Sequence, residues 1–194
     1  MRFHSFWGVG CTLLFFLCVS GVAAAAPLIS EWCDIEVTRD ILYGRAPIEN
    51  GTAVKDLLLD VYELADPPTE TRPALVVIHG GAFTGGTKND LGSIAKYFAK
   101  RGFVCFAITY RFTPENPPDD IYSCMSDART AVRWVRAHRE DYGIPDDAIG
   151  VMGHSAGAYS AVHITVMDPE ALPLDMPEDP ANNAGVSPKV HACI

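Results

Sequence analysis

Gly153-His154-Ser155-Ala156-Gly157 is the stretch whose residue types and spacing are suited to chemistry. A short apolar run, Ile149 to Met152, leads into Gly-x-Ser-x-Gly, and small residues follow from Ala156. The pattern reads as strand, sharp turn, helix. Only glycines fit on either side of such a turn, and the serine hydroxyl is pushed out above the sheet. That hydroxyl attacks a carbonyl carbon once a base takes its proton and donors stabilise the oxyanion. Composition alone produces this pattern in about one chain in fifteen of this length, so a second signal is needed.

The second signal lies upstream. Ala74-Leu75-Val76-Val77-Ile78 is a continuous apolar, β-branched run, as in a strand buried on both faces. His79-Gly80-Gly81-Ala82-Phe83-Thr84-Gly85-Gly86 follows directly. Glycines there let the backbone approach a substrate with no Cβ in the way. The expected oxyanion donors are the amides of Gly81 and Ala82 from this loop and of Ala156 at a helix N-terminus. His79, Gly80, Gly153 and Gly157 are the supporting residues of the two motifs.

Other elements must position them. Ile35-Glu36-Val37 reads as a short edge strand and Leu57 to Tyr62 as a second strand. Leu91 to Lys100 has helical spacing, and Phe103 to Thr109 is another buried strand. A proline loop then leads to a helix over about Ile121 to Tyr142. Its apolar stripe is Cys124, Ala128, Ala131, Val132 and Val135, with Arg129, Arg133, Arg136 and Arg139 expected on a solvated face. The helix after Ser155 runs to about Val166. Asp168 to Ser187 reads as a loop, and Lys189 to Ile194 as the opening of one more strand. Alternation of strands and helices predicts an α/β fold with a mostly parallel central sheet and helices on both faces.

The chain has 194 residues, 48% of them hydrophobic, enough to bury one ordinary core. Its net charge of −9 without basic clusters argues against nucleic acid or an anionic membrane surface as partner. Residues 1–25 read as a signal peptide, with Arg2, an apolar Cys11 to Val19 and a small-residue cleavage region ending at Ala24, Ala25 or Ala26. An uncleaved anchor is the competing reading; no stable membrane anchor is expected. Residues 26–194 form the domain, in a secreted or periplasmic setting. Of the cysteines left after cleavage, Cys105 and Cys193 read as buried thiols, while Cys33 and Cys124 lie nearer the expected surface and are candidates to pair. None has metal-site spacing, and no metal or cofactor is expected.

The two motifs together resemble the α/β-hydrolase fold, in its carboxylesterase branches related to hormone-sensitive lipase and to small bacterial esterases that deacylate plant polysaccharides. Tyr110-Arg111-Phe112-Thr113-Pro114-Glu115 resembles that family's Tyr-Arg-Leu-x-Pro-Glu segment, and Asp127 to Arg136 its helix before the elbow strand. Ala82 departs from His-Gly-Gly-Gly; its amide survives, so only a positive φ there would matter. The resemblance covers about Asp56 to Ile194. It implies a serine esterase with Ser155 as nucleophile, acting through an acyl-enzyme on short-chain esters, small or on polysaccharides, with acetyl or feruloyl groups among them.

The same resemblance implies a triad acid and histidine on loops after two further strands, in the order Ser, acid, His. None is assigned within the chain. His163 lies about 12 Å from Ser155 along a helix axis. His191 reads as core or edge, and His154 points away from the serine in the family. Asp168, Asp175 and Asp179 are loop acids with no histidine to orient. The expectation is an α/β-hydrolase domain lacking its C-terminal strands, inactive alone, with an open sheet edge near Ile194. A peptidase or amidase on the same fold, and a non-catalytic hydrolase-like protein, are the alternatives.

Overall fold

The computed structural model describes residues 34–113, 121–168, 174 and 176–194. Its strands are β1 (Ile35–Ile48), β2 (Ala53–Leu64), β3 (Ala74–Ile78), β4 (Val104–Ile108), β5 (Ile149–Gly153) and β6 (Ala192–Cys193). Its helices are α1 (Gly92–Ala99), α2 (Ile121–Ala137) and α3 (Ala156–Val166). The strands form one sheet in the order β1-β2-β4-β3-β5-β6. The four inner and late strands, β4, β3, β5 and β6, run parallel to one another. β1 and β2 form an antiparallel pair that joins β4 in antiparallel sense.

β3 and β4 are buried at every position, which is why they read as unbroken apolar runs. Successive residues feed opposite faces. Val76, Ile78, Phe106 and Ile108 pack with α2 and α3 through Ala128, Val132, Ala161 and Ile164. Leu75, Val77, Cys105 and Ala107 pack with Ala95 and Ala99 of α1. Helices therefore cover both faces, as expected. Among the described residues no helix is long and apolar enough to cross a membrane.

Five expectations need correcting. β1 is 14 residues long rather than a three-residue edge strand. Its ladder with β2 slips between Thr38 and Ile41 and again between Leu42 and Gly44, so breaker residues sit in bulges inside the strand. At Gly44 a Cβ would stand 2.8 Å from both Asn182 Oδ1 and Thr130 Cγ2, so the glycine marks a close approach and not an end.

The arginines of α2 are not on a solvated face. Arg129, Arg133 and Arg136 are buried, because the irregular segment after α3 lies across them. Arg133 Nε donates to the Val186 carbonyl at 3.1 Å, and Arg136 donates twice to the Lys189 carbonyl, at 2.6 and 3.1 Å. Irregular backbone carries carbonyls without ladder partners, and guanidinium groups satisfy them. The helix itself ends at Ala137, with a 3-10 turn over Arg139–Tyr142.

Cys124 is fully buried, not near the surface, and its Sγ donates to the Arg111 carbonyl at 3.0 Å. Cys33 lies outside the described residues. Cys105 is buried as expected, and burial pushes its thiol up to about 12. Cys193 is exposed instead: β6 is the edge strand beside β5, and both of its residues are exposed.

Candidate active site

Adjacent parallel strands bring the two motifs together. Ile78 of β3 is in register with Gly153 of β5, so the glycine loop and the serine turn leave the sheet side by side. The His154 amide still donates to the Ile78 carbonyl, 3.2 Å, and the Gly157 amide closes the turn on the His154 carbonyl, 2.9 Å. A Cβ at Gly153 would collide with the Gly157 carbonyl group, and one at Gly157 with the Ile78 carbonyl oxygen. The two glycines are therefore required by backbone contact.

Ser155 sits in this turn at φ 54° and ψ −118°. That region is sparsely populated for a residue with a side chain and costs about 1–3 kcal/mol. Ser155 occupies the N-cap position of α3, yet its side chain makes no capping hydrogen bond, so the hydroxyl is not used in holding the helix. Ala156 opens α3; its amide belongs to the first turn, where N–H groups have no intrahelical acceptor.

The glycine loop is strained and held at its root. Gly81, Ala82, Phe83 and Gly86 all have positive φ, 125°, 53°, 62° and 110°. The Thr84 amide donates back to the Gly81 carbonyl at 2.9 Å, and the Thr113 amide reaches the Phe83 carbonyl at 2.8 Å. His79 is buried and stacks on Tyr110 with ring centroids 4.3 Å apart. Its Nδ1 lies 2.6 Å from the Gly80 carbonyl oxygen, which makes Nδ1 the protonated nitrogen. The Tyr110 hydroxyl donates to the His79 carbonyl at 2.9 Å and lies 3.4 Å from that of Gly80. Burial lowers the His79 pKa and so favours the neutral ring, with the Gly80 hydrogen bond and the Asp90 charge opposing.

Ser155 opens onto two cavities. One, about 560 Å³, is lined with Gly80, Gly81, Ala82, Asp90, Leu91 and His154. The other, about 470 Å³, runs along α3 past Ala158, Tyr159, Val162, His163 and Val166. The structure thus gathers Ser155, Gly80, Gly81 and Ala82 at one cleft. Burial lowers the His163 pKa, with Arg129 adding to the effect, and its ring faces Tyr122. His138 stacks on Trp134, His191 is exposed, and His154 Nδ1 faces Gly80. Asp179 accepts from the Ala181 amide and pairs with Arg45, and Asp175 lies outside the described residues. None of these contacts pairs a histidine with the Ser155 hydroxyl.

Two cleft contributors escaped the sequence reading. Asp90 had a visible signal, the Thr87-x-x-Asp90 spacing: both carboxylate oxygens accept from Thr87, which lowers the Asp90 pKa. The apolar wall on α3 had none, because Tyr159 and Val162 read as ordinary helix residues.

A family model described as BD-FAE matches residues 59–194. The chain belongs to the BD-FAE family. This BD-FAE chain is similar to Esterase LipC of Mycobacterium tuberculosis, 33% identical over 68% of this chain and 31% of that protein. It is 38% identical to the probable carboxylic ester hydrolase LipM of the same organism, over 59% of this chain and 27% of the relative. Among solved structures it resembles butyrate-bound esterase 2 of Thermogutta terrifontis, with TM-score 0.64 and 26% identity over 83% of this chain and 51% of that one. The same esterase phosphorylated by paraoxon gives TM-score 0.63 and 30% identity, over 82% and 55%. The BD-FAE chain has the α/β-hydrolase fold. It spans under a third of the length of these curated relatives and about half of the solved esterase chains.

Ala82 carries a strain that a glycine would not. The left-handed region costs alanine about 1–2 kcal/mol, and the extra chain freedom of an unfolded glycine returns about 0.5–1 kcal/mol of that. Ala82→Gly is expected to raise the thermal midpoint by about 1–3 °C, read by circular dichroism. A lower midpoint would show that the loop conformation is not strained at this residue.

Proposed function

We propose that this chain is the nucleophile-bearing part of a secreted serine hydrolase that cleaves carboxylic esters through an acyl-enzyme. The observation that carries the reading is Ser155. Its hydroxyl is unspent, on a strained turn, at the same cleft as the Gly81–Ala82 loop. In this reading Ser155 Oγ attacks the ester carbonyl carbon, and the carbonyl oxygen takes the negative charge. The amides of Gly81, Ala82 and Ala156 hold that oxyanion. Collapse expels the alcohol and leaves an acyl-serine, which water hydrolyses. The acid and histidine that move the protons come from sequence outside residues 1–194.

The substrate proposal is short-chain acyl esters, with acetyl or feruloyl groups on polysaccharides as a subset. Support comes from the two cavities meeting at Ser155, the α3 one largely apolar, and from the butyrate- and propionate-bound forms of the Thermogutta esterase. Export rests on the signal-peptide pattern of residues 1–25, which lie outside the described part.

The test uses the protein purified from its natural source. It is expected to hydrolyse 4-nitrophenyl acetate and butyrate, to take a diethylphosphoryl group from paraoxon on the Ser155 peptide, and to leave a peptide anilide intact. Ser155→Ala is expected to lose activity by at least about 1,000-fold. Labelling elsewhere, or full activity in the variant, would remove Ser155 from the mechanism. The intact mass of the same sample reads the leader and the chain end. A mass consistent with loss of residues 1–25 and with further C-terminal sequence is expected; retention of residues 1–25 contradicts export by cleavage.

A further inference from the structure

The glycine loop is pinned at its root by His79 and Tyr110, but four left-handed residues then follow, and most of the loop is exposed. A strained segment persists only where its surroundings over-determine it. A second fixed point is therefore required downstream, and the structure contains one.

Asp60 of β2 is fully buried, a carboxylate inside an apolar strand. Three donors converge on it: Arg39 Nη1 at 2.9 Å, the Asp40 amide at 2.9 Å and Lys88 Nζ at 2.8 Å. Arg39 and Asp40 are the residues by which β1 slips register, and Asp40 has φ 58°. Bulges re-aim side chains in this way. Lys88 also pairs with the Asp40 carboxylate at 2.9 Å, and Arg39 Nη1 reaches Asn89 Oδ1 at 3.1 Å. Two cations and two carboxylates thus balance. Burial draws the Lys88 pKa down, but its hydrogen bonds to Asp60 and Asp40 prevail and raise it, so the ammonium stays charged. On either side of Lys88, Thr87 and Asp90 lock the loop end to itself.

We propose that the bulge of β1 and the buried Asp60 form an anchor for the glycine loop, and that Lys88 is a positioning residue for the Gly81 and Ala82 amides. The proposal rests on the serine-hydrolase reading of the loop. Lys88 touches no reacting atom. It fixes the downstream stem of the loop to two strands that ladder pairing makes rigid. Losing it frees the stem and lets the positive-φ residues relax away from the geometry an oxyanion needs.

The test compares Lys88→Met with Lys88→Arg in the full-length protein, by amide hydrogen exchange and by steady-state hydrolysis of 4-nitrophenyl butyrate. In Lys88→Met the amides of Thr84, Gly85 and Asp90 are expected to exchange about 10-fold faster or more, with those of α2 unchanged. The kcat is expected to fall about 10-fold, a fraction of the loss for removing a donor outright, with KM within about 2-fold. Lys88→Arg keeps the charge and restores most of both. Asp40→Asn, a residue that tolerates φ 58°, is the milder second variant if Lys88→Met does not fold; it is expected to move the same amides less. Loop amides that exchange as in the wild type, or acceleration spread evenly over the whole protein, would overturn the anchor. If the wild type hydrolyses no ester, the serine-hydrolase reading fails while the exchange pattern still decides the anchor.

Discussion

The structure depends on one backbone contact, between the first turn of α3 and the end of β3. Gly157 lies against the Ile78 carbonyl with no room for a Cβ, and Gly153 lies against Gly157 in the same way. This closeness bends the chain from strand to helix within two residues and forces Ser155 to φ 54°. The strain, about 1–3 kcal/mol, is held in place by the most buried part of the sheet, where Val76, Val77, Ile78 and Val151 are all nearly inaccessible. Since β3 and β5 are neighbours in register, the contact also fixes the distance from the serine to the glycine loop. Stability in the core is thereby converted into geometry at the cleft.

A second constraint keeps that core aligned. Arg111 and Asp127 are both buried and share hydrogen bonds through Nε and Nη2, while the Arg111 amide reaches the same carboxylate at 2.7 Å. Arg111 Nη1 continues to the Pro47 carbonyl and Nη2 to that of Ser123. The pair ties the exit of β4 and the end of β1 to α2. Removing one partner of such a pair leaves a buried charge and costs about 3–5 kcal/mol. With Arg133 and Arg136 bound to loop carbonyls, α2 works as a polar-studded core helix, not as a surface helix.

Much of this was legible from residue pattern. The strand Ala74–Ile78, the turn at Ser155 and the helix Ala156–Val166 have the bounds that the apolar runs and glycines predict. They were legible because both faces of the strand are buried and because glycine is the only residue the turn admits. β1 was not, because Asp40 and Gly44 look like breakers and only bulges in β1, paired along a long partner strand, absorb them. The arginine face of α2 was misread because periodicity reports charge, and the covering segment carries no periodic signal. Cys193 was misread because an apolar run at an edge looks the same as one in a core. Asp60 left a trace, a lone acid within Leu57 to Tyr62, but its partners are distant in sequence.

Membership of the BD-FAE family and likeness to solved esterases fit the cleft, although the chain spans only part of those proteins. The central claim is that the amides of Gly81, Ala82 and Ala156 surround the point where charge develops above Ser155. A crystal structure of the protein reacted with paraoxon tests it directly. The account predicts a phosphoryl oxygen on Ser155 within about 2.7–3.1 Å of those amides. A phosphoryl oxygen turned to solvent, with the glycine loop folded away from it, would contradict the account.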